Sequence, residues 1–368
     1  MTSLSLPADQ RAALRRSLRE NAGRYIARHY RHDILRARAV RGVQSDIVDR
    51  FQREIVAPTL RAVAAGLATF DERGPAVVID SYPELRALQA EVVAIVSRGA
   101  ENVRRLAESK LADLTENEVE WGRETAAKVL RVPAPPALVD IGRAAATRPF
   151  LGQRFDGWFR DMLTQPAAKN AMQWIQAGIS QGLSTDAIVK GLRGTKDRGY
   201  TDGWLTGSSR DLSTLVRTAA THYASTANTE TFKAIGFDRY RWLDSLDTKT
   251  CPVCGELARR SRDEGGFIIG EGPLPPSPHP NCRCSVVPWM GEPEGTRAST
   301  DGPVPATLTL PEWLEGRPKA EQDEILGATR ARAWRAGTLT FEKMIGPDLQ
   351  LLPIAELRRL DRIPKEEA

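Results

Sequence analysis

The sequence predicts a mainly α-helical protein, with a small α+β module that holds the cysteines and a helical C-terminal tail. Three observations support this fold class. Apolar residues recur at helical spacing through most of the first 236 residues. The spacing then changes to two at Tyr240 and Trp242, which is typical of a strand. Finally, all four cysteines lie in CPVC at 251–254 and PHPNCRC at 278–284, which indicates one local site.

The helical part begins with an N-terminal arm, which we assign to residues 1–131. Apolar residues recur at every fourth position from Leu14 onward, as expected of a helix. Pro58 should kink or break the helical segment that contains it, because proline cannot donate a backbone hydrogen bond. Residues 81–114 then have the pattern of a strongly amphipathic helix.

Prolines and changes of pattern predict the remaining boundaries. Three of the four residues at 133–136 are proline, so 132–138 should separate the arm from a second helical part. That part ends at Gly236, which follows a long helical pattern. The predicted regions are 139–236 (helical), 237–291 (cysteine-rich α+β module), 292–310 (linker) and 311–368 (helical tail). The predicted strands are 239–246, 267–270 and 284–289.

The composition is ordinary for a soluble globular chain, with 41% hydrophobic and 27% charged residues. No apolar run is long enough for a transmembrane helix, so we expect no membrane partner. The first residues, MTSLSLPADQRAALRR, lack the apolar core of a secretory signal. We therefore expect a reducing cytosol, where clustered cysteines bind metal more often than they form disulfides.

Positive charge is concentrated near the N-terminus, although the formal net charge is only +5. Ten arginines lie between positions 11 and 41, against only Glu20 and Asp33: 11, 15, 16, 19, 24, 28, 31, 36, 38 and 41. Such a helix could meet DNA phosphate or an acidic protein surface. The alternative is a solvated helix face without a partner.

Five side chains of the cysteine-rich module are candidate zinc ligands: Cys251, Cys254, His279, Cys282 and Cys284. The two residues between Cys251 and Cys254 allow both sulfurs to reach one ion within a tight turn. Cys282 and Cys284 would point to one face of a strand. Zinc takes four ligands, so the site is either four cysteines or three cysteines with His279. The alternatives are two disulfides, or buried thiols around a hydrogen-bonded histidine.

A site filled by four protein ligands leaves no position for a reactive water, so the predicted zinc is structural rather than catalytic. The intervening loop, GELARRSRDEGGFIIGEGPLPPSP, has little core of its own, and a metal crosslink would stabilise it. No HExxH, GxSxG or phosphate-binding loop motif is present, and we assign no catalytic residue.

The same segments resemble a known family. LVRTAATHYASTANTETFKAIGFDRYRWLDSLDTKTCPVC, followed by PHPNCRCSVVPW, is similar to the phage head morphogenesis family of phage Mu F-like minor head proteins. The resemblance extends over about 140–346. One departure is the segment GELARRSRDEGG, where the family usually continues its CPxC turn with a short hairpin containing Asp-Gly. The register of the strand that follows is therefore open.

The resemblance implies a non-enzymatic minor capsid protein of a phage or prophage, which acts in head morphogenesis. Its partners would be the portal and other head proteins, with packaged DNA as a further candidate. It would lie in the virion, at the capsid interior or portal vertex, and in the host cytoplasm during assembly. Oligomers would form only through virion assembly.

Two alternative functions remain at this point. One is a DNA-binding zinc module. The other is a virion-associated nuclease, hydrolase or ADP-ribosyltransferase-like enzyme, since Arg217, Ser225 and Glu292 follow the order of residues in such transferases. His29 and His32 have the helical spacing of a metal pair, but we expect them to be surface residues.

Overall fold

The computed structural model describes residues 8–68, 83–131, 139–198, 202–273, 278–292 and 295–364. It is mainly α-helical with a small β region, which confirms the predicted fold class. The helices before the cysteines are α1 (Ala8–Phe51), α2 (Ala57–Ala68), α3 (Pro83–Thr125), α4 (Val139–Ala145), α5 (Phe155–Phe159), α6 (Gln165–Ser180), α7 (Thr185–Arg193) and α8 (Trp204–Ile235). Three π-helical segments are Gln52–Val56, Ala126–Leu130 and Arg160–Thr164. The later helices are α9 (Pro252–Asp263), α10 (Leu310–Glu315), α11 (Lys319–Leu326), α12 (Ala328–Arg335) and α13 (Ile354–Arg359).

The strands form two small antiparallel sheets. They are β1 (Arg239–Leu243), β2 (Phe267–Ile268), β3 (Ser285–Pro288), β4 (Thr296–Ser299) and β5 (Gly302–Pro305). The first sheet has the order β2–β1–β3, and the second is the β4–β5 hairpin. β1 lies in the centre, with Tyr240 opposite Phe267 and Trp242 opposite Val286. The three predicted strands are therefore present, each shorter than its sequence pattern.

The chain divides into two compact units whose boundaries differ from the predicted ones. Unit 1 contains residues 1–37, 115–145 and 221–368, and unit 2 contains 38–114 and 146–220. The first residues of α1 thus belong to the same unit as the cysteine-rich module. The reason is visible in the core of unit 1, where Tyr25 is fully buried together with residues of that module. Part of the predicted N-terminal arm is therefore core.

The core of unit 1 surrounds the three-stranded sheet. Trp242 in the central strand is fully buried, and Leu257 of α9 packs into the same cluster. Phe232 of α8 and Leu130 also belong to it. Burying an aromatic or leucine side chain contributes about 2 kcal/mol each. The small sheet is therefore held by helical residues that are distant in sequence, rather than by its own few strand pairs.

In unit 2, Pro58 does not end the helix. The segment Gln52–Val56 widens to a π-helix, and the chain continues as α2. A proline lacks the N–H that would bond to the carbonyl four residues earlier, and a π-turn accommodates such an interruption. Gly99 of α3 lies against this segment, where an added Cβ would come within 2.5 Å of Ile55 Cγ1. Glycine is required there by close helix packing.

The segment 292–310, which we predicted to be a linker, contains the β4–β5 hairpin. Arg297 of β4 explains the order of this segment, because its guanidinium is buried and donates to Oδ1 of Asp244 at 2.9 Å. The same guanidinium donates to the backbone carbonyls of Asp244 and Leu308. The polar, glycine-containing sequence suggested a flexible connection, but one buried ion pair fixes it.

This ion pair gives a pH-dependent prediction. Burial raises the pKa of Asp244 to about 6, although Arg297 opposes the shift. A carboxyl whose pKa is higher in the folded than in the unfolded state stabilises the fold at pH values below its pKa in the unfolded state. That contribution is lost as the pH rises through its pKa in the folded state. Without Arg297 the pKa rises further. We therefore expect Arg297→Met to destabilise the protein more at pH 8.5 than at pH 5.5, by about 1–2 kcal/mol, in urea unfolding of variant and wild type.

The control is Arg359→Met, which removes an exposed arginine paired with Glu356. Its effect should stay below about 0.5 kcal/mol at both pH values. Metal content is measured at both pH values, so that loss of metal is not mistaken for titration of Asp244. An Arg297→Met effect that is equal at the two pH values would contradict the assignment of a charged, buried Asp244.

Candidate metal centre

The first arm of the centre is the start of α9. Cys251 is the N-cap residue of this helix, and its sulfur accepts a hydrogen bond from the backbone N–H of Cys254 at 3.4 Å. Pro252 occupies the first helical turn, where a missing N–H costs nothing. This local geometry turns the sulfurs of Cys251 and Cys254 toward the same region.

The second arm is the loop that leads into β3. It carries His279, Cys282 and Cys284, and Cys284 directly precedes the strand. The antiparallel pairing of β1 with β3, which places Leu243 opposite Ser285, brings this loop beside the residues that follow β1. The sheet register therefore sets the separation of the two arms.

A bidentate ion pair joins the two arms beside the centre. Arg283 donates through both terminal nitrogens to the carboxylate of Asp247, with both distances at 2.6 Å. Arg283 lies between the last two cysteines, and Asp247 lies four residues before Cys251. Oδ1 of Asp247 also accepts from the backbone N–H of Lys249 at 2.9 Å. The ion pair thus orients the backbone on both sides of the cluster.

The structure brings all five predicted ligands into two overlapping groups. Cys251, Cys254 and His279 form one group, and Cys254, Cys282 and Cys284 form the other, with ligand atoms within 4.8 Å of one another in each. Nε2 of His279 lies 3.0 Å from Sγ of Cys251 and 3.1 Å from Sγ of Cys254. Sγ of Cys254 lies 3.6 Å from Sγ of Cys282. Cys254 is common to both groups.

The separations within each group are compatible with a bound metal ion. Metal–sulfur bonds of about 2.3 Å place two sulfur ligands about 3.8 Å apart, and sulfur and nitrogen ligands slightly closer. The Cys254–Cys282 distance of 3.6 Å is near that value. No disulfide joins the four thiols. The donor set and its spacing fit a divalent ion with a preference for sulfur and nitrogen.

The orientation of His279 favours it as a ligand. Its Nδ1 lies 2.9 Å from the carbonyl oxygen of Pro280, which accepts a hydrogen bond from the protonated nitrogen. That bond directs Nε2 toward Cys251 and Cys254 and leaves its lone pair for a metal, as metal-binding histidines commonly do. This orientation favours His279 as a ligand together with Cys251 and Cys254, the two sulfurs in its group.

Electrostatics inside the cluster favour thiolates at two of the four cysteines, whereas the pKa values of Cys254 and Cys284 are raised. Hydrogen bonding to Cys254, and then to His279, lowers the pKa of the Cys251 thiol to about 4 against the effect of burial. The pKa of Cys282 is likewise lowered, chiefly by its hydrogen bond to Cys254. Burial lowers the pKa of His279, but Cys251 outweighs it and raises the value to about 9. The proton on Nε2 thus occupies the position that suits a cation between these sulfurs.

Access to the centre is limited. Cys254, Cys282 and Cys284 are buried, whereas Cys251 and His279 are half-buried. The buried cysteines belong to the same apolar cluster as Trp242 and Leu257. An ion held there would connect the helix, the loop and the sheet of the module within its core.

The segment after CPVC, which we expected to be a loop, is helix α9. Eight of its residues are buried, and Leu257 is in the core of unit 1. Gly265 and Gly266, with φ of 68° and 84°, end the helix in a left-handed turn that leads into β2. A proline at the first turn and a glycine pair at the end are helix signals that the sequence contained.

Two residues of the transferase-like order, Arg217 and Ser225, take a hydrogen-bonded and a buried position. Arg217 donates to Oε1 of Gln44 at 3.1 Å in unit 2. Ser225 is fully buried in unit 1. The two N-terminal histidines are not surface residues, as we had expected. His29 is 2% exposed, and Nε2 of His32 lies 2.9 Å from Oε1 of Glu118.

Comparisons with protein-family models, with curated proteins and with solved structures found no match to this chain. The resemblance to the phage head morphogenesis family therefore stays a prediction. Among the described residues, no helix has an apolar stretch that could cross a membrane.

The role of His279 can be tested by metal competition. Because Nε2 faces two sulfurs, we expect His279→Ala to weaken Zn²⁺ binding at least about 100-fold, as loss of one of four ligands should. The measurement is competition with a chromogenic chelator at pH 7.5. Lys249→Ala, an exposed change in the same loop region, should leave the affinity unchanged. Wild-type affinity in His279→Ala would show that the four cysteines form the site without it.

Proposed function

We propose that this protein is a minor head protein of a phage or prophage, in which a structural zinc ion holds a small module in a shape suited to docking on the portal or other head proteins. The observation that carries the structural part is the assembly of five soft ligands in two groups that share Cys254, at the core of unit 1. The viral part is supported by the resemblance of residues 215–254 and 278–289 to phage Mu F-like proteins.

Zinc is the metal that the donor set favours. Thiolate and imidazole ligands at tetrahedral spacing are typical of zinc, and hard ions such as Mg²⁺ prefer oxygen. The cluster offers more protein ligands than the four places of a tetrahedron. With every place filled by protein, no water is bound for activation, and the ion acts by crosslinking. We therefore propose a scaffold and not an enzyme.

The ion pairs of α9 disfavour the alternative of a DNA-binding zinc module. Arg259 pairs with Glu256 and Asp263, both at 2.6 Å, and Arg260 pairs with Glu264 at 3.0 Å. Arg283 is held by Asp247. Basic side chains that already have carboxylate partners would have to exchange them for phosphate. The face around the metal ligands is thus electrically balanced, which suits contact with a protein.

The proposal is tested by co-expression of the full chain with the portal protein of the same phage or prophage, followed by size-exclusion chromatography and metal analysis. We expect co-elution and about one zinc per chain. The matched variant Cys251→Ser/Cys254→Ser should lose both the zinc and the co-elution, because the docking surface depends on the zinc crosslink. Mass spectrometry of purified virions should detect the protein.

The two parts of the proposal fail in different ways. A zinc-containing chain that never co-elutes with portal or head proteins and is missing from virions would contradict the viral assignment alone. A chain that co-elutes equally well without metal would contradict the role of zinc in docking. A zinc with an exchangeable bound water would contradict a purely structural site.

A further inference from the structure

A basic groove lies in unit 1 between the N-terminal part of α1 and the π-helical segment Ala126–Leu130, which follows α3. Its volume is about 370 Å³, and it continues into a second depression that shares Arg28, Arg31 and Lys128. The basic residues that line it are Arg24, Arg28, Arg31, Lys128 and Arg131. None of them is part of the metal centre. The groove is therefore a separate feature whose charge requires its own explanation.

The arginines of the groove differ from many other arginines of this protein. Several arginines of α3 are paired with glutamates one turn away, as Arg105 is with Glu101 and Arg123 with Glu120. Within the described part of the chain, the four groove arginines form no ion pair with a carboxylate and are exposed. Glu124 lines the second depression, but it is held by Lys128 at 2.6 Å. Four guanidinium groups thus face one groove without neutralisation.

Such an arrangement is unfavourable unless an anion completes it. Like charges on neighbouring helical turns repel and cost a few tenths of a kcal/mol per pair. The sequence contains acidic residues at helical spacing elsewhere, so their scarcity along this face is specific to it. A planar guanidinium also binds phosphate or carboxylate through two hydrogen bonds, which lysine cannot do. The chemistry of the groove is that of a receptor for a multiply charged anion.

The spacing of the arginines favours a nucleic-acid backbone. Arg24, Arg28 and Arg31 lie at i, i+4 and i+7 on one face of α1, and they extend over about 10.5 Å at the usual helical rise. One strand of duplex DNA presents a phosphate about every 3.4 Å along its axis, so this row covers about three phosphates. An acidic peptide presents its carboxylates on mobile side chains, whereas the phosphates of a duplex are held at a fixed repeat. Arg131 and Lys128 supply charge from the opposite wall.

We propose that this groove binds the phosphate backbone of nucleic acid without reading its sequence, with Arg24, Arg28, Arg31 and Arg131 as the phosphate contacts. Lys128 is restrained by Glu124 and contributes less. This inference rests on the groove alone, and it holds or fails independently of the docking partner and the metal.

The test measures binding of a fluorescent 20-base-pair duplex to the full zinc-loaded chain by anisotropy, at several salt concentrations. Four phosphate contacts predict a slope of log K against log salt of about −3.6. The variant Arg24→Gln/Arg28→Gln/Arg31→Gln should reduce that slope to about −0.9 and weaken binding at least about 30-fold in low salt. Two duplexes of unrelated sequence should bind equally. Single-stranded DNA should bind through the same residues with a shallower slope.

The matched control removes the same amount of positive charge outside the groove. Arg105→Gln/Arg123→Gln/Arg359→Gln takes away three arginines that are paired with Glu101, Glu120 and Glu356. It should keep the affinity and the slope of the wild type. Glu124→Gln, which releases Lys128, should strengthen binding and steepen the slope by about 0.9. Circular dichroism and zinc content show that each variant is folded.

Three results would overturn the proposal. The first is a groove variant that binds like the control, since binding would then reflect net charge alone. The second is no salt-dependent binding of either form of DNA at low salt. The third is tight, groove-dependent binding of poly-glutamate with no binding of DNA, which would identify an acidic protein as the ligand.

Discussion

Replacing Cys254 by serine is expected to abolish stoichiometric metal binding and to unfold the cysteine-rich part of unit 1. Cys254 is the residue common to both ligand groups, and it is 2% exposed. Its sulfur lies 3.1 Å from Nε2 of His279 and 3.6 Å from Sγ of Cys282. Its removal leaves only two ligands in each group, so one substitution removes the connection between the two arms.

The expected loss of stability is large because the ion contributes to folding directly. A structural zinc contributes about 10–16 kcal/mol in small zinc-binding peptides at neutral pH. The net stability of most proteins is of that size or less. Losing even part of the zinc contribution should therefore lower the free energy of unfolding by more than about 4 kcal/mol. Urea unfolding, hydrogen exchange of α9 and β1 amides, and zinc analysis should all report the change. Chelation should destabilise the wild type and leave Cys254→Ser unaffected.

The control is Ala258→Ser, one helical turn further along α9. Ala258 is 5% exposed and belongs to the same apolar cluster, but it is not a ligand. The substitution therefore adds a buried hydroxyl to the same helix without changing a candidate metal ligand. We expect a loss of about 1–2 kcal/mol and full zinc content. Equal stability losses in the two variants, with zinc retained in both, would show that zinc ligation by Cys254 does not stabilise the module.

The clustering of the five candidate ligands was predictable because its signal is local and chemical. Cysteine occurs only in these two stretches, and the spacings within each stretch already allow chelation. The sheet that joins the stretches was also predictable, since Tyr240 and Trp242 alternate with polar residues. The sequence left open which four of the five ligands are used, because that depends on angles that are set by the β1–β3 register.

Helix α9 and the histidines of α1 show why the other predictions failed. The glycines and prolines late in the segment after CPVC suggest a loop. However, Pro252 and Gly265 are normal boundaries of a helix. The burial of His29 depends on Trp121 and Phe232, whose rings lie 4.7 and 5.5 Å away and come from positions far along the chain. A sequence pattern within one helix contains no information about such partners.

Replacing Glu118 by alanine is expected to destabilise unit 1 by about 3 kcal/mol, because Glu118 is the shared acceptor of a buried polar network. Its Oε1 lies 2.9 Å from Nε2 of His32, and its Oε2 accepts from Nδ2 of Asn228 at 3.0 Å. Glu118 and Asn228 are 3% and 2% exposed. Alanine would leave the buried amide of Asn228 and the half-buried ring of His32 without their acceptor, and an unsatisfied buried polar group costs about 1–3 kcal/mol.

The comparison that isolates this network uses the same helix and the same residue type. Glu120 lies two positions further along α3, is exposed, and pairs only with Arg123. Glu120→Ala should therefore change the free energy of unfolding by less than about 0.5 kcal/mol. In a double-mutant cycle, Glu118→Ala and Asn228→Ala should be less destabilising together than the sum of the single changes, by about 1 kcal/mol, since they remove two ends of one bond. Additive effects would mean that each side chain acts through packing alone, and that the buried carboxylate does not connect α1, α3 and α8.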